Sequence, residues 1–102
     1  GAGESSARIL GSSAWRVSQS TVGTSAALLI ASSLDDRNGL LVKNWSQSAT
    51  IYIGESLAKA DVLVGYPLAP RDALALDIAA GASVYAVSDL PLADVRIVEG
   101  GA

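Results

Sequence analysis

Between residues 40 and 99, apolar and polar side chains alternate one residue at a time, in short runs closed by Gly, Pro, Asp and Ser. Leu74, Leu76 and Ile78 stand against Ala73, Ala75 and Asp77, and Val95 and Ile97 stand against Asp94, Arg96 and Val98. A period of two puts each set on one face of a pleated strand, so one face is buried and the other meets solvent or a partner. The pattern also predicts a polar-rich edge strand over residues 15–22 and an apolar strand over residues 26–32. Residues 34–38 form a turn cluster ending in Asn38-Gly39, a dipeptide favoured where a hairpin needs positive φ. A central strand over 40–45 then turns at Ser46-Gln47-Ser48 and returns over 50–54, which reads as a hairpin.

A loop over 55–59 leads to an apolar strand at Val62, Leu63 and Val64. Gly65-Tyr66-Pro67 and Pro70-Arg71-Asp72 punctuate the next stretch, because proline cannot donate to a sheet ladder. Strands over 73–78, 84–87 and 95–98 bring the total to roughly eight at the short, regular spacing of all-β domains. The expected fold is therefore all-β, a small antiparallel β-sandwich or jelly-roll-like barrel over residues 14–102. Residues 1–13 are mostly Gly, Ala and Ser, with Glu4, Arg8 and the apolar pair Ile9-Leu10. That segment has too few anchors to fold alone and reads as a flexible or partner-ordered arm.

Composition adds a reason to look outward. A chain of 102 residues makes one domain, burying roughly 60–70% of its unfolded surface. Half of the residues are hydrophobic and only 17% are charged. The chain is thus too apolar for disorder and short of charges to cover a monomer, so some apolar surface is expected to face another chain. Seven basic residues against ten acidic give a net charge of -3, and the basic ones are scattered. Nucleic-acid binding needs them clustered, so no such partner is expected. The apolar run over 26–31 is far short of the ~20 residues of a membrane helix. No basic start with a long apolar centre marks a secretory leader.

Candidate chemistry is sparse. Cys is absent, which removes disulfides, thiolate metal sites and a Cys nucleophile. His is absent too, and with it the usual general base, the commonest metal ligand and the middle member of a serine triad. A Ser with Lys43 or Lys59 as base has no motif around it. Two carboxylates suffice for glycoside hydrolysis when held about 5–10 Å apart, but Asp77 and Asp94 sit outward on separate strands. Residues 35–39 fail as a calcium loop, because Leu34 occupies the first ligand position and no Glu closes it. Asn44-Trp45-Ser46 fits the glycosylation pattern without a leader to support it. No enzymatic activity, cofactor or metal is expected. Two or three of the five aromatics, Trp15, Trp45, Tyr52, Tyr66 and Tyr85, are expected to fill the core, and the rest to anchor an interface.

The order of residues over 20–100 resembles small β-sandwich proteins of tailed-bacteriophage structural modules. Carrying the resemblance are Thr21-Val22-Gly23-Thr24 before an apolar strand, Arg37-Asn38-Gly39-Leu40-Leu41-Val42-Lys43-Asn44 and Thr50-Ile51-Tyr52-Ile53-Gly54. It continues through Gly65-Tyr66-Pro67-Leu68-Ala69-Pro70, Leu74-Ala75-Leu76-Asp77, Val84-Tyr85-Ala86-Val87 and Ala93-Asp94-Val95-Arg96-Ile97-Val98-Glu99. Such proteins often carry Gly where Arg71 stands and Asn-Pro near Asp35-Asp36, so those turns are expected to differ. The arm falls outside the resemblance.

The resemblance implies a non-enzymatic capsid decoration, or cement, protein. It would assemble as a homo-trimer on the phage head and bind the major capsid protein. Its place would be the virion surface, after assembly in the host cytoplasm. The alternative is a tail, fibre or carbohydrate-binding β-sandwich module. Candidate interface residues are Ile9, Leu10, Trp15, Arg16, Trp45, Tyr66 and Val98.

Overall fold

The computed structural model describes residues 14–101. The chain forms eight strands: β1 (Ala14–Val22), β2 (Ala27–Leu28), β3 (Arg37–Asn44), β4 (Ile51–Gly54), β5 (Tyr66–Leu68), β6 (Ala73–Leu76), β7 (Tyr85–Ser88) and β8 (Ala93–Gly101). They make two four-stranded sheets, one in the order β1-β8-β3-β6 and the other in the order β2-β7-β4-β5. Every pairing is antiparallel. The fold is the expected all-β sandwich.

Alternation decides which residues fill the space between the sheets. In β8, Ala93, Val95, Ile97 and Glu99 are buried, while Asp94, Arg96 and Val98 point outward. Val42 of β3 and Ile51 of β4 are fully buried and, with Val95 and Ile97, form the centre of the core. Leu74, Leu76 and Ile78 of the β6 segment pack against that core but stay partly exposed, because β6 is an edge strand.

Several expectations are corrected. Asn38-Gly39 is not a hairpin turn. It lies inside β3, where the register against β8 shifts between Arg37 and Gly39. The chain reverses instead at Asp35 and Asp36, and Asp36 takes the positive φ of 54°. Aspartate tolerates that region because its short side chain bonds locally.

The strands over 40–45 and 50–54 do not pair as a hairpin. β3 belongs to one sheet and β4 to the other, so their apolar sides meet face to face across the core. Residues 26–32 give only the two-residue β2, after which Leu29 turns inward. Residues 62–64 are turn rather than strand, and the strand falls on Tyr66–Leu68. Pro67 is accommodated there because β5 is an edge strand, where a missing donor is tolerated.

No aromatic belongs to the buried core. Val, Ile, Leu and Ala fill it, since the gap between two sheets is about 10 Å and side chains from both inner faces already occupy it.

Candidate interaction surface

The outward face of the first sheet is built by cross-strand register. Val17 pairs with Val98, Val98 with Leu41, and Leu41 with Ala75. These four residues form an apolar row running straight across β1, β8, β3 and β6. The flanking row toward one end carries Trp15 opposite Gly100, itself opposite Gly39. Glycines there place no side chain directly opposite Trp15 among the described residues, and Trp15 is 70% exposed. On the other flank, Gln19, Arg96 and Lys43 form a polar row that ends at Ala73. An apolar stripe widened by an exposed Trp on one side and edged by polar groups on the other has the make-up of a protein-binding patch.

Beneath that face, buried polar clusters hold the strands in place. Glu99 is fully buried and accepts hydrogen bonds from Arg16 Nε at 3.2 Å, Leu34 N at 3.0 Å and Arg37 Nη1 at 3.2 Å. Burial pushes the Glu99 carboxyl up, but the Arg16 guanidinium, the Leu34 amide and Arg37 outweigh it and hold the group below the ordinary glutamate range. Arg37 also donates to the carbonyls of Ala79 at 2.7 Å and Ala82 at 2.8 Å, which ties the loop after β6 to β3.

At the opposite end, Asn44 Nδ2 donates to Ala49 O at 2.8 Å and Leu68 O at 2.9 Å, joining β3 to β5 of the other sheet. With no exposure, Asn44 offers nothing to a glycosyl transfer.

Trp45 continues the outward side of β3, and Arg71 lies over its ring with the guanidinium carbon 3.9 Å from the centroid. Lys43 Nζ approaches the same ring at 5.6 Å. Arg71 adopts a φ of 72°, the left-handed region where glycine is at ease, so the turn is strained at that residue.

The sequence-derived interface candidates therefore separate. Trp15, Trp45 and Val98 share the outward face of the first sheet. Arg16 sits on the opposite side of β1, engaged with Glu99 and the Ser32 carbonyl. Tyr66 belongs to the second sheet, at a groove between β6 and β4–β5. Ile9 and Leu10 lie outside the described residues.

Two features are missing from those candidates. Val17 and Leu41 complete the outward row, and period-two alternation sets them on the same sides of their strands as Trp15 and Trp45. The loop over 55–65 presents Leu57, Val62, Leu63 and Val64 to solvent, with Leu63 88% exposed. Read as a strand, those residues resemble core.

The two carboxylates weighed for hydrolysis do not pair. Asp94 lies beside Trp45, while Asp77, just past β6, continues the row of Gly39 and Gly100. Six strand residues separate those rows, roughly 20 Å. Arg96 and then Gln19 bind Asp94 and lower its pKa. Among the described residues, no group of three or more acidic, His or Cys side chains could hold a metal ion.

No protein-family model matches the chain, and no curated protein matches it. A solved structure described as a Bacillus endospore appendage, from a family of disulfide-linked pili, superposes with a TM-score of 0.45 at 11% identity. The match covers 87% of each chain. A likeness of that grade carries no argument about function, and the present sequence has no cysteine with which to form such links.

Proposed function

We propose that this chain is a non-enzymatic structural module that works by assembling, and that its working surface is the outward face of the first sheet. The observation that carries this reading is the unbroken apolar row Val17, Val98, Leu41 and Ala75, with Trp15 beside it. Solvent gains nothing from such a row, whereas a second protein face laid on it removes apolar area from water at about 25 cal/mol per Å². The buried Glu99 and Asn44 clusters support the same reading, since a patch must be rigid to bind without a large ordering cost.

The finer identity rests on the order of residues over 20–100. By that resemblance the module decorates the head of a tailed bacteriophage, as a trimer that cements major capsid subunits at the virion surface. Many identical copies on one shell would multiply a modest contact into firm attachment.

The test pairs self-association with particle chemistry. Sedimentation velocity of the wild type should show an oligomer, and Leu41→Lys with Val98→Lys should weaken it at least 100-fold, about 2.7 kcal/mol, with an unchanged β-type circular dichroism spectrum. Mass spectrometry of purified phage particles should find the chain in the head. A wild type that stays monomeric at high concentration and is missing from the particles would defeat the reading.

A further inference from the structure

The basic residues are scattered along the chain but not over the fold. Arg16 and Arg37 are taken up by Glu99, and Arg8 lies outside the described residues. Of the remaining four, Lys43, Arg71 and Arg96 stand together at one end of the first sheet's outward face, around Trp45. Arg96 is paired with Asp94, while Lys43 and Arg71 have no carboxylate partner among the described residues. Counting Asp94 and Asp72 of the neighbouring turn, that end keeps a positive surplus. Acid stands at the other end, where Asp77 continues the row of Gly39 and Gly100 and the turn at Asp35 and Asp36 adjoins Gly101. The apolar row Val17, Val98, Leu41 and Ala75 divides the two ends.

The rows on either side lie equally far from that divide. Lys43 and Gly39 are each two residues from Leu41, as Arg96 and Gly100 are from Val98, and Ala73 and Asp77 from Ala75. We infer that the outward face takes a second copy of this chain, laid face to face with its strands antiparallel, about a two-fold axis that runs across the strands along the apolar row. Each apolar residue then meets its own counterpart. Lys43 and Arg96 of one copy lie over Gly39 and Gly100 of the second copy, and Lys43 stands one strand, roughly 5 Å, to the side of Asp77 of the second copy. Such a contact is isologous, so each pairing occurs twice.

Charge and bulk both select this axis. The other two-fold arrangement of the same face turns about an axis along the strands, between β8 and β3. It would set Lys43 against Arg96 of the second copy, a repulsive pairing, and Gly39 against Gly100, an unfilled gap. With the axis across the strands, long cationic side chains fill the space above the glycines, and unlike charges face each other on both flanks. Aligned packing is also a usual arrangement of two twisted sheets. The inference rests on the outward-face reading and deepens it by naming the partner and its orientation. Any threefold assembly is left to other surfaces of the chain.

Charge exchange tests the orientation. Lys43→Glu alone and Asp77→Lys alone each bring like charges together twice in a pair of copies, and each should weaken self-association at least tenfold in sedimentation velocity. An equimolar mixture of the two variants restores both attractive pairs and should associate within threefold of the wild type. Circular dichroism of each variant should match that of the wild type, since both positions lie on the outward face. The lack of cysteine gives a second readout. Under mild oxidation, Val17→Cys should cross-link to itself at least tenfold faster than to Ala75→Cys, because the rejected axis is the one that brings Val17 to Ala75. A mixture no tighter than the single variants, or a Val17→Cys chain that prefers Ala75→Cys, would overturn the inference. The outward-face reading survives that result if Leu41→Lys with Val98→Lys still dissolves the oligomer, whereas a monomeric wild type removes both.

Discussion

Glu99 shows how one residue can hold two loops and a sheet together. It is fully buried, yet its charge is kept because Arg16, Arg37 and the Leu34 amide surround it. Its folded-state pKa is depressed, so its contribution is complete above the ordinary glutamate value of about 4.3 and is lost as pH falls through the lower folded value. Glu99→Gln should cost about 3 kcal/mol at neutral pH, because it leaves Arg37 buried and short of a counter-charge. It should also flatten the decline of thermal stability on acidification below about pH 4.3, and thermal melts from pH 2 to 7 read both effects. An unchanged acid limb would mean the stability lies elsewhere. None of this cluster is legible in the sequence, since Arg16, Arg37 and Glu99 are far apart along the chain and each looks like an ordinary surface charge. Arg71 is more readable: Pro70-Arg71-Asp72 marks a turn in the sequence, and there the chain takes a φ of 72°. The chain tolerates the strain while its guanidinium covers Trp45, a contact worth about 0.5–1 kcal/mol at an exposed site.

At the scale of elements, the loop over 55–65 and the strand before it fit because of two glycines. A Cβ on Gly54 would collide with the backbone of Lys59 and Ala60, and one on Gly65 would meet the carbonyls of Asp61 and Lys59. The loop is further closed by Ala60 N donating to Ser56 O at 3.0 Å and Gly65 N to Asp61 O at 2.7 Å. Gly54→Ala should therefore destabilise by about 2 kcal/mol. At ~4–8 °C per kcal/mol for a small domain, the melting temperature should fall by roughly 10 °C. An unaltered melting temperature would show that the loop does not rest on β4. Strands with strong alternation, β6 and β8 above all, are legible from side-chain period alone. The pairing of β3 with β8 rather than β4 is not, because alternation reports which face is apolar but not which neighbour lies alongside.

For the whole molecule, function is argued from surfaces. The core residues Val42, Ile51, Val95 and Ile97 all lie within the sandwich. Deleting residues 1–13 should leave the β-type circular dichroism spectrum and cooperative melting intact; on the proposed reading as a phage-head protein, it should also weaken attachment to phage particles at least tenfold in a co-sedimentation assay. Lost folding would refute the assignment of those residues as an arm. Of the interface candidates, Trp15, Trp45 and Val98 are recoverable from outward apolar positions on strands. Leu63 and Val64 are not, since an apolar triplet in sequence looks like core until the chain around it is seen to turn.

By itself the sequence determined the all-β class and which side of the longer strands is apolar, because these come from local period and turn chemistry. Only the tertiary structure decided the order of strands, the crossing from β3 to β4 between sheets, the pairing of buried charges and the joining of Val17, Val98, Leu41 and Ala75 into one row. The physical reason is that those features depend on contacts between residues remote along the chain, and these form only when two apolar faces close on each other.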